Sequence, residues 1–512
     1  MSNDSAEGLD AARAGHSSRI SINAILNATG SLSYYVAVVL ITPLAIGALG
    51  EHVWGIWQLV GAVTSYALLV DLGLQSAVSY HVAAAVANDD AEGLGKSIHT
   101  ARTYMLGAGL SIAVVFVLVG SPLVSVLVPE SDHALALRAL LCSTVLTGLT
   151  LPWRAYSSVI FGIQRLDLIA RFRLGTAILL FAVVASGFWL GRLDLLGFVV
   201  VMSVAPVAPG LLSWIAARRL FPRSVLAWRR MDWPYLREMF AYSINTVLYT
   251  TGSTILYQSL KVLAAWTAGG TIAAARMGLA VSIVQILSVL FVPLVSVIQP
   301  RAADLANRGR ADQLAPLLHR SLATIGAVAT PIILFIAVEG TTLFSAWVGN
   351  AVDAEGIASL ARTSLYMLPG QWLFIVFLPC FYALAGLGEH RGFGVMMIGT
   401  GVLNAAGGAL AALHSPSNEA LALVFSGAMT SMVVFYTVPV ALRRFSIGLV
   451  TTLRDALAVP VVAALPGVAS VWIRPRMDEP LLDLIVAGVG FGLLALPGFL
   501  LAIRRVAPGR AI

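Results

Sequence analysis

The stretch Ser21–Ser31 reads SINAILNATGS, and Ser243–Ser253 reads SINTVLYTTGS. Seven of the eleven positions are identical, and the other four pair Ala with Thr twice, Ile with Val, and Asn with Tyr. The copies stand 222 residues apart in a chain of 512, and each opens a long apolar run just after a polar, Arg-bearing segment. A chain that says the same thing twice at that distance is built twice on one plan. The sequence therefore predicts two helical lobes.

Composition names the solvent. The chain is 58% hydrophobic and 11% charged, with a mean hydropathy of +0.88. Soluble domains carry about 25% charged residues, so a water-soluble protein of this size would lack the polar surface to dissolve. Long apolar runs between short charged loops mean an all-α polytopic membrane protein. Because the runs are continuous rather than alternating, a β-barrel is excluded. Fourteen windows of about 20 apolar residues, each the length of one helical span, lie between a first near 22–46 and a last near 481–503. They divide into a tail over 1–20, an N-lobe of six spans over 21–217 and a linker over 218–237. A C-lobe of six spans over 238–442 follows, then two more spans and the C-terminus over 443–512. Met1–Ser18 is polar and has no apolar h-region, so it reads as a disordered tail without a cleaved signal.

An even number of spans puts both ends on one side. With a cytoplasmic N-terminus, the tails and the loops on that side hold 24 basic residues, Arg102 and six arginines from Arg218 to Arg237 among them. The other side holds five: Arg138, Arg192, Arg362, Arg474 and Arg476. Under the positive-inside rule that bias makes both termini cytoplasmic. The net charge of +7 belongs to these membrane-flanking loops, so no nucleic-acid partner is expected.

The repeat runs beyond its opening. Ala91-x-x-Leu94 followed by His99 returns as Ala311-x-x-Leu314 followed by His319, and Leu151-Pro152 leading to Gly162-Ile-Gln-Arg165 returns as Leu378-Pro379 leading to Gly388-Glu-His-Arg391. Six spans per copy means that both lobes enter from the same side, so the repeats are parallel, about an axis along the membrane normal.

No catalytic motif survives inspection. Gly93-Leu-Gly95-Lys96-Ser97 resembles the end of a phosphate loop, but position 90, where the first glycine belongs, is Asp and no strand precedes it. Cys142 and Cys380 lie in apolar runs and form no CxxC, so neither a disulfide framework nor a metal site is indicated, and no cofactor is expected.

The first helix of each lobe carries a polar stripe. Asn23, Asn27, Ser31 and Tyr35 recur every four residues, with Asn245, Tyr249, Ser253 and Tyr257 as their mates. Such a stripe either lines a hydrated cavity or bonds helix to helix, and its duplication favours the cavity. One step further lies Lys261, whose mate is Val39. Other charges within the spans are Asp71, Arg154, Arg276 and Glu339, and none has a charged mate. Each costs roughly 2.5–3.5 kcal/mol at the bilayer centre. Arg154, Lys261 and Arg276 either face a cavity or snorkel to an interface. Asp71, in Asp71-Leu-Gly73-Leu, is mid-span and either caps a broken helix or pairs with a cavity cation. Glu339 stands near an outer end, half-exposed, with proton coupling as its functional option. Arg165 and Arg391 read as repeat mates at the cytoplasmic mouth, placed either to catch a phosphate or to anchor the loops.

At Leu49-Gly50…Trp54-Gly55-Ile56-Trp57, Asp71-Leu72-Gly73-Leu74 and Phe161-Gly162-Ile163-Gln164-Arg165 the chain resembles a Wzx-type polysaccharide flippase, of the superfamily that also holds the MATE drug exporters and the lipid II flippases. The resemblance covers about the first 440 residues. It implies two six-helix lobes in a V around a central cavity, plus two further helices, in the cytoplasmic membrane. It also implies alternating-access transfer of an undecaprenyl-pyrophosphate-linked oligosaccharide to the outer leaflet, for surface or exopolysaccharide synthesis. Cavity cations would hold the pyrophosphate, a role that falls on Arg154, Lys261 and Arg276. The implied partners are the lipid-linked oligosaccharide, membrane lipids and polysaccharide polymerase or export machinery. Two alternatives stay open: an ion-coupled exporter of small amphipathic compounds, and a non-transporting scaffold of a cell-envelope assembly.

Overall fold

An apolar segment in lipid can satisfy its backbone only as a helix or within a closed barrel, and the computed structural model shows the helical solution throughout. It describes residues 20–222, 225, 231–267, 269–389, 391–474 and 476–506, with the side chains of 20–29, 31 and 501–506 left out. The tail before residue 20 and part of the 218–237 linker lie outside the described residues, which form helices and no strand. Thirteen helical passages are long and apolar enough to cross a membrane. A fourteenth, Trp233–Ala265, has 33 residues and the length to cross, but not the same apolarity. It opens the second lobe and carries the second copy of the polar stripe.

The chain divides into two compact units, Met1–Thr251 and Gly252–Ile512. In the first, α1 (Ile20–Leu49) precedes a second passage broken into α2 (Glu51–Ala67) and α3 (Leu74–Ala87), then α4 (Ala91–Leu127), α5 (His133–Gly162) and α6 (Leu166–Trp189). A sixth passage, interrupted before Pro206, forms α7 (Leu195–Val204) and α8 (Val207–Leu220). The first part of α9 (Trp233–Ala265) completes this unit. The fourth passage, α5, is the hub on which α2, α3, α4, α7 and α8 pack.

The second unit repeats the plan. After α9 come α10 (Gly270–Ser296) and α11 (Ile298–Asn307), again one passage with a break, then α12 (Leu314–Val348), α13 (Ala354–Gly386) and α14 (Arg391–His414). The sixth passage is α15 (Asn418–Met432), a π-helical turn and α16 (Val438–Phe445). Here α13 is the hub for α10, α11, α12 and α15. Two further passages follow, α17 (Leu449–Leu453) continuing through a π turn into α18 (Val459–Ile473), then α19 (Pro480–Val506). The α18–α19 pair packs on α12 through Val471, Phe491 and Ala495 against Leu334, Phe335 and Val338.

The breaks repeat as well as the helices, which sequence matching did not reveal. The second passage of each lobe breaks, at 68–73 and at Val297, and the sixth is irregular at 205–206 and at 433–437. The structure also moves one repeat register. Gly162 ends α5, where a Cβ would fall 2.7 Å from the Ser79 carbonyl of α3, and Gly386 ends α13, where a Cβ would strike the Gln299 carbonyl of α11. In each case a left-handed residue follows two positions later, Gln164 at φ 58° and Gly388 at φ 76°. Gly162 thus corresponds to Gly386 rather than Gly388. Counted from the helix end, Arg165 meets Glu389, so the pairing of Arg165 with Arg391 does not hold in this register.

Candidate functional site

The broken second passage builds the most reactive-looking part of the first unit. Leu68–Asp71 tightens into a 3-10 turn, and Leu72 (φ 47°) and Gly73 (φ 66°) then turn left-handed before α3 resumes. Glycine suits position 73, where φ is positive and a Cβ would sit 3.3 Å from Ser243 and Thr246 of α9. The freed backbone is pinned from two sides: the Tyr104 hydroxyl donates to the Val70 carbonyl at 2.9 Å, and the Ser243 hydroxyl donates to the Gly73 carbonyl at 3.0 Å.

Asp71 sits at this break. The Gln75 side-chain amide donates to its Oδ2 at 2.6 Å, while Oδ1 is buried with no hydrogen-bond partner among the described residues. One turn further on, the Ser79 hydroxyl bonds the Gln75 carbonyl and the Ser158 carbonyl of α5, and the Ser158 hydroxyl bonds the Arg154 carbonyl. The second and fourth passages run in the same direction, so with Ser79 opposite Ser158, Arg154 comes opposite Gln75, one turn from Asp71. Arg154 is half-buried and lies within electrostatic reach of Asp71 and of the Tyr34 hydroxyl. No ion pair or side-chain hydrogen bond joins its guanidinium to any described residue. Asp71 thus stands at a helix break and within electrostatic reach of a cation, while its side chain neither caps α3 nor forms an ion pair with Arg154. The stripe is less tidy: Tyr35 is exposed, edge-on to Tyr34, and it is Tyr34 that reaches Arg154. The side chains of Asn23, Asn27 and Ser31 lie outside the described residues.

In the second unit Lys261 is buried, with no hydrogen bond or ion pair to a described residue. One turn before it, the Tyr257 hydroxyl donates to Gln371 Oε1 at 3.3 Å, and Gln371 Nε2 donates to Ser288 Oγ at 2.7 Å. The Ser426 hydroxyl accepts from the backbone N–H of Gly370 at 2.8 Å. The first unit holds a matching bridge across its second, fourth and sixth passages, Thr64 to Ser143 at 3.0 Å and Ser203 to Ser143 at 3.4 Å. Thr64 and Ser288 stand 224 residues apart, Ser203 and Ser426 stand 223 apart, so these pins belong to the repeat. Tyr249, Ser253 and Asn245 of the stripe are half-buried.

Three charged residues stand differently from expectation. Glu339 is 1% exposed rather than half-exposed, at a kink in α12 where φ is −105° and ψ 16°. Arg474 donates to it at 2.8 Å, Arg476 at 3.2 Å and Thr342 at 2.6 Å, and Asp483 of α19 closes the set by pairing with both arginines. The Arg474 guanidinium, in the α18–α19 loop, is held above its usual range first by the Asp483 hydrogen bond. Arg276, in the first turns of α10, faces Asp353 at 3.5 Å, the residue that caps α13 through the Gly356 N–H. Arg102, counted among the loop arginines, is 3% exposed and bonds the Tyr156 hydroxyl at 2.8 Å. At the arginine-rich ends, Arg165 forms a two-point pair with Asp167 at 2.9 and 3.1 Å, and Arg391 is exposed. On the same side Lys96 pairs with Asp232 at 2.9 Å and holds that carboxyl below its usual range, helped by the Tyr235 N–H.

A family profile described as polysaccharide biosynthesis protein matches residues 22–306. The chain belongs to that family. The match spans the whole first lobe, the Asp71–Arg154 region and Lys261. No curated protein sequence matches the chain. Among solved structures, an inward-facing multidrug resistance MATE transporter of the MOP superfamily is similar at TM-score 0.68 and 13% identity, over 83% of this chain and 98% of that one. The lipid II flippase MurJ, in an inward closed conformation, is similar at TM-score 0.65 and 12% identity, over 94% of this chain and 98% of that one. A MOP superfamily transporter from Pyrococcus furiosus, described by a reverse-polarity binding pocket, is similar at TM-score 0.57 and 13% identity, over 84% and 99%. At these identities the likeness is one of fold. The polysaccharide biosynthesis chain thus has the MOP-type architecture that the resemblance implied, with its membrane-embedded charges on the second, fourth, seventh, eighth and ninth passages.

Proposed function

We propose that this polysaccharide biosynthesis protein is a flippase, carrying a pyrophosphate-headed, lipid-linked oligosaccharide from the cytoplasmic to the outer leaflet with both termini in the cytoplasm. The supporting observation is a membrane-embedded cation in each unit, Arg154 and Lys261, without an ion pair among the described residues. A membrane protein keeps an unpaired charge at that depth where a ligand completes it, and two cations suit a doubly anionic head. Arg276 already faces Asp353, so the phosphate role rests on the other two. The undecaprenyl tail stays in lipid while the head is carried, and alternating access turns the head outward. Each negative charge moved outward gains about 2.3 kcal/mol per 100 mV of membrane potential, so a doubly charged head needs no obligatory coupling ion.

The test is flipping of a defined undecaprenyl-pyrophosphate oligosaccharide in proteoliposomes. Arg154→Gln and Lys261→Gln, folded and inserted as wild type, should each lower the rate more than tenfold. Undiminished flipping by both variants refutes the phosphate role, and the wild type failing to flip while extruding amphipathic cations would favour the exporter reading.

A further inference from the structure

Asp71 is a residue that cargo binding alone does not need. It ends a 3-10 turn, immediately before the left-handed Leu72 and Gly73, and one of its two carboxylate oxygens is buried without a partner among the described residues. The nearby cation is Arg154, one turn away across the Ser79–Ser158 contact, whose guanidinium has no hydrogen bond to a described residue. Two opposite charges left in reach but undocked are costly in a membrane, where complete pairing would be worth far more than in water. Their neighbours do bond: Gln75 reaches back over the break to Asp71, Tyr104 and Ser243 hold its Val70 and Gly73 carbonyls, and Ser79 joins α3 to the Ser158 carbonyl of α5.

We infer that Asp71 is the internal counter-anion of Arg154, a built-in competitor that the phosphate of the cargo must displace. The inference rests on the flippase reading and adds a release step to it. With no cargo, the Asp71 carboxylate offsets the guanidinium charge. An arriving pyrophosphate offers more oxygens in bidentate geometry and takes the guanidinium, while Asp71 stays with Gln75. When the head must leave on the other side, the carboxylate is at hand to take its place. The site therefore binds anions more weakly than its cation would alone, which is what a carrier needs in order to let go.

The experiment measures anion binding to the purified full-length chain in detergent by calorimetry, with inorganic pyrophosphate and with undecaprenyl phosphate as probes. Asp71→Asn keeps the shape and an acceptor for Gln75 but removes the charge. It should bind both probes about tenfold more tightly, the size of one removed charge interaction at this range, and flip cargo more slowly. The gain should vanish in Asp71→Asn/Arg154→Gln. Asp71→Ser, a second uncharged variant, repeats the measurement should the first melt too low to purify. Unchanged or weaker binding by both uncharged variants, with Arg154→Gln still weakening it, overturns the competitor role and leaves the flippase reading standing. Equal binding by the wild type and Arg154→Gln overturns both.

Discussion

Two groups of charge lie within the helical bundle, and they are finished to different degrees. In the second unit Glu339, Asp483, Arg474 and Arg476 form a closed set of two anions and two cations, with Thr342 filling a remaining acceptor. In the first unit Asp71 and Arg154 lie within electrostatic reach but no bond joins them. Both groups stand at a helix irregularity, the α12 kink and the α2–α3 break, so neither burial nor a bent helix separates structure from function. Completeness of pairing does. The closed set ties the α18–α19 pair to α12, while the open pair leaves charge for something else.

That contrast breaks first at Arg474. Removing one member of a buried ion set strands the others, at about 3–5 kcal/mol, so Arg474→Ala should show a strongly lowered melting temperature in detergent and poor membrane yield. Arg154→Gln should do the reverse. Its melting temperature should match the wild type or exceed it, since an incompletely paired charge contributes desolvation cost and little bonding, while flipping falls more than tenfold. Equal melting losses in the two variants would remove the distinction between clamp and site.

Next in size is the duplicated glycine contact. A methyl group at Gly162 or Gly386 forces two helices apart at a backbone carbonyl, and overpacking of that kind costs typically 1–3 kcal/mol. Gly162→Ala and Gly386→Ala should therefore destabilise comparably, as unfolding in a denaturing detergent would record. Gly388→Ala has open space but φ +76°, so its smaller cost should come from the backbone alone. A larger effect at Gly388 than at Gly386 would restore the repeat register read from sequence.

The duplication, the helical class and the number of passages were all legible, because each is written in long-range periodicity. The charged residues were legible as candidates but not as sites. Glu339 looked half-exposed because its partners, Arg474 and Arg476, stand more than 130 positions away in a loop that sequence counts only as charge. Arg102 counted as a loop arginine because its acceptor, the Tyr156 hydroxyl, belongs to another helix. The Thr64–Ser143–Ser203 bridge has no one-letter signature, since small hydroxyl residues in apolar helices more often bond their own preceding turn, as Thr144 and Thr176 do here. Asp71 was the informative exception: Asp followed by Leu-Gly announces a helix break locally. What the sequence could not say was that Arg154 waits beside it.

Two smaller pairs sharpen the contrast. Arg276 with Asp353 and Lys96 with Asp232 are joined but partly exposed; a pair such as Arg276–Asp353 is worth about 0–1 kcal/mol. Arg276→Gln should leave flipping within about twofold of wild type and stability within that range.

Asp232 gives the finest test, through pH. Lys96 and then the Tyr235 N–H hold its folded pKa below the ordinary carboxylate value. The unfolded chain therefore binds the proton more readily than the folded one. The stability this group lends is fully present above the ordinary carboxylate pKa and fades as pH falls through the depressed folded value. Hydrogen exchange at the start of α9 should accordingly speed up below about pH 4 in the wild type relative to Asp232→Asn, and the difference should shrink in high salt because the pair is open to solvent. Flipping measured at neutral pH should not distinguish the two proteins. A joined, hydrated pair anchors the helix end; only charges left undocked in the membrane are available to a cargo.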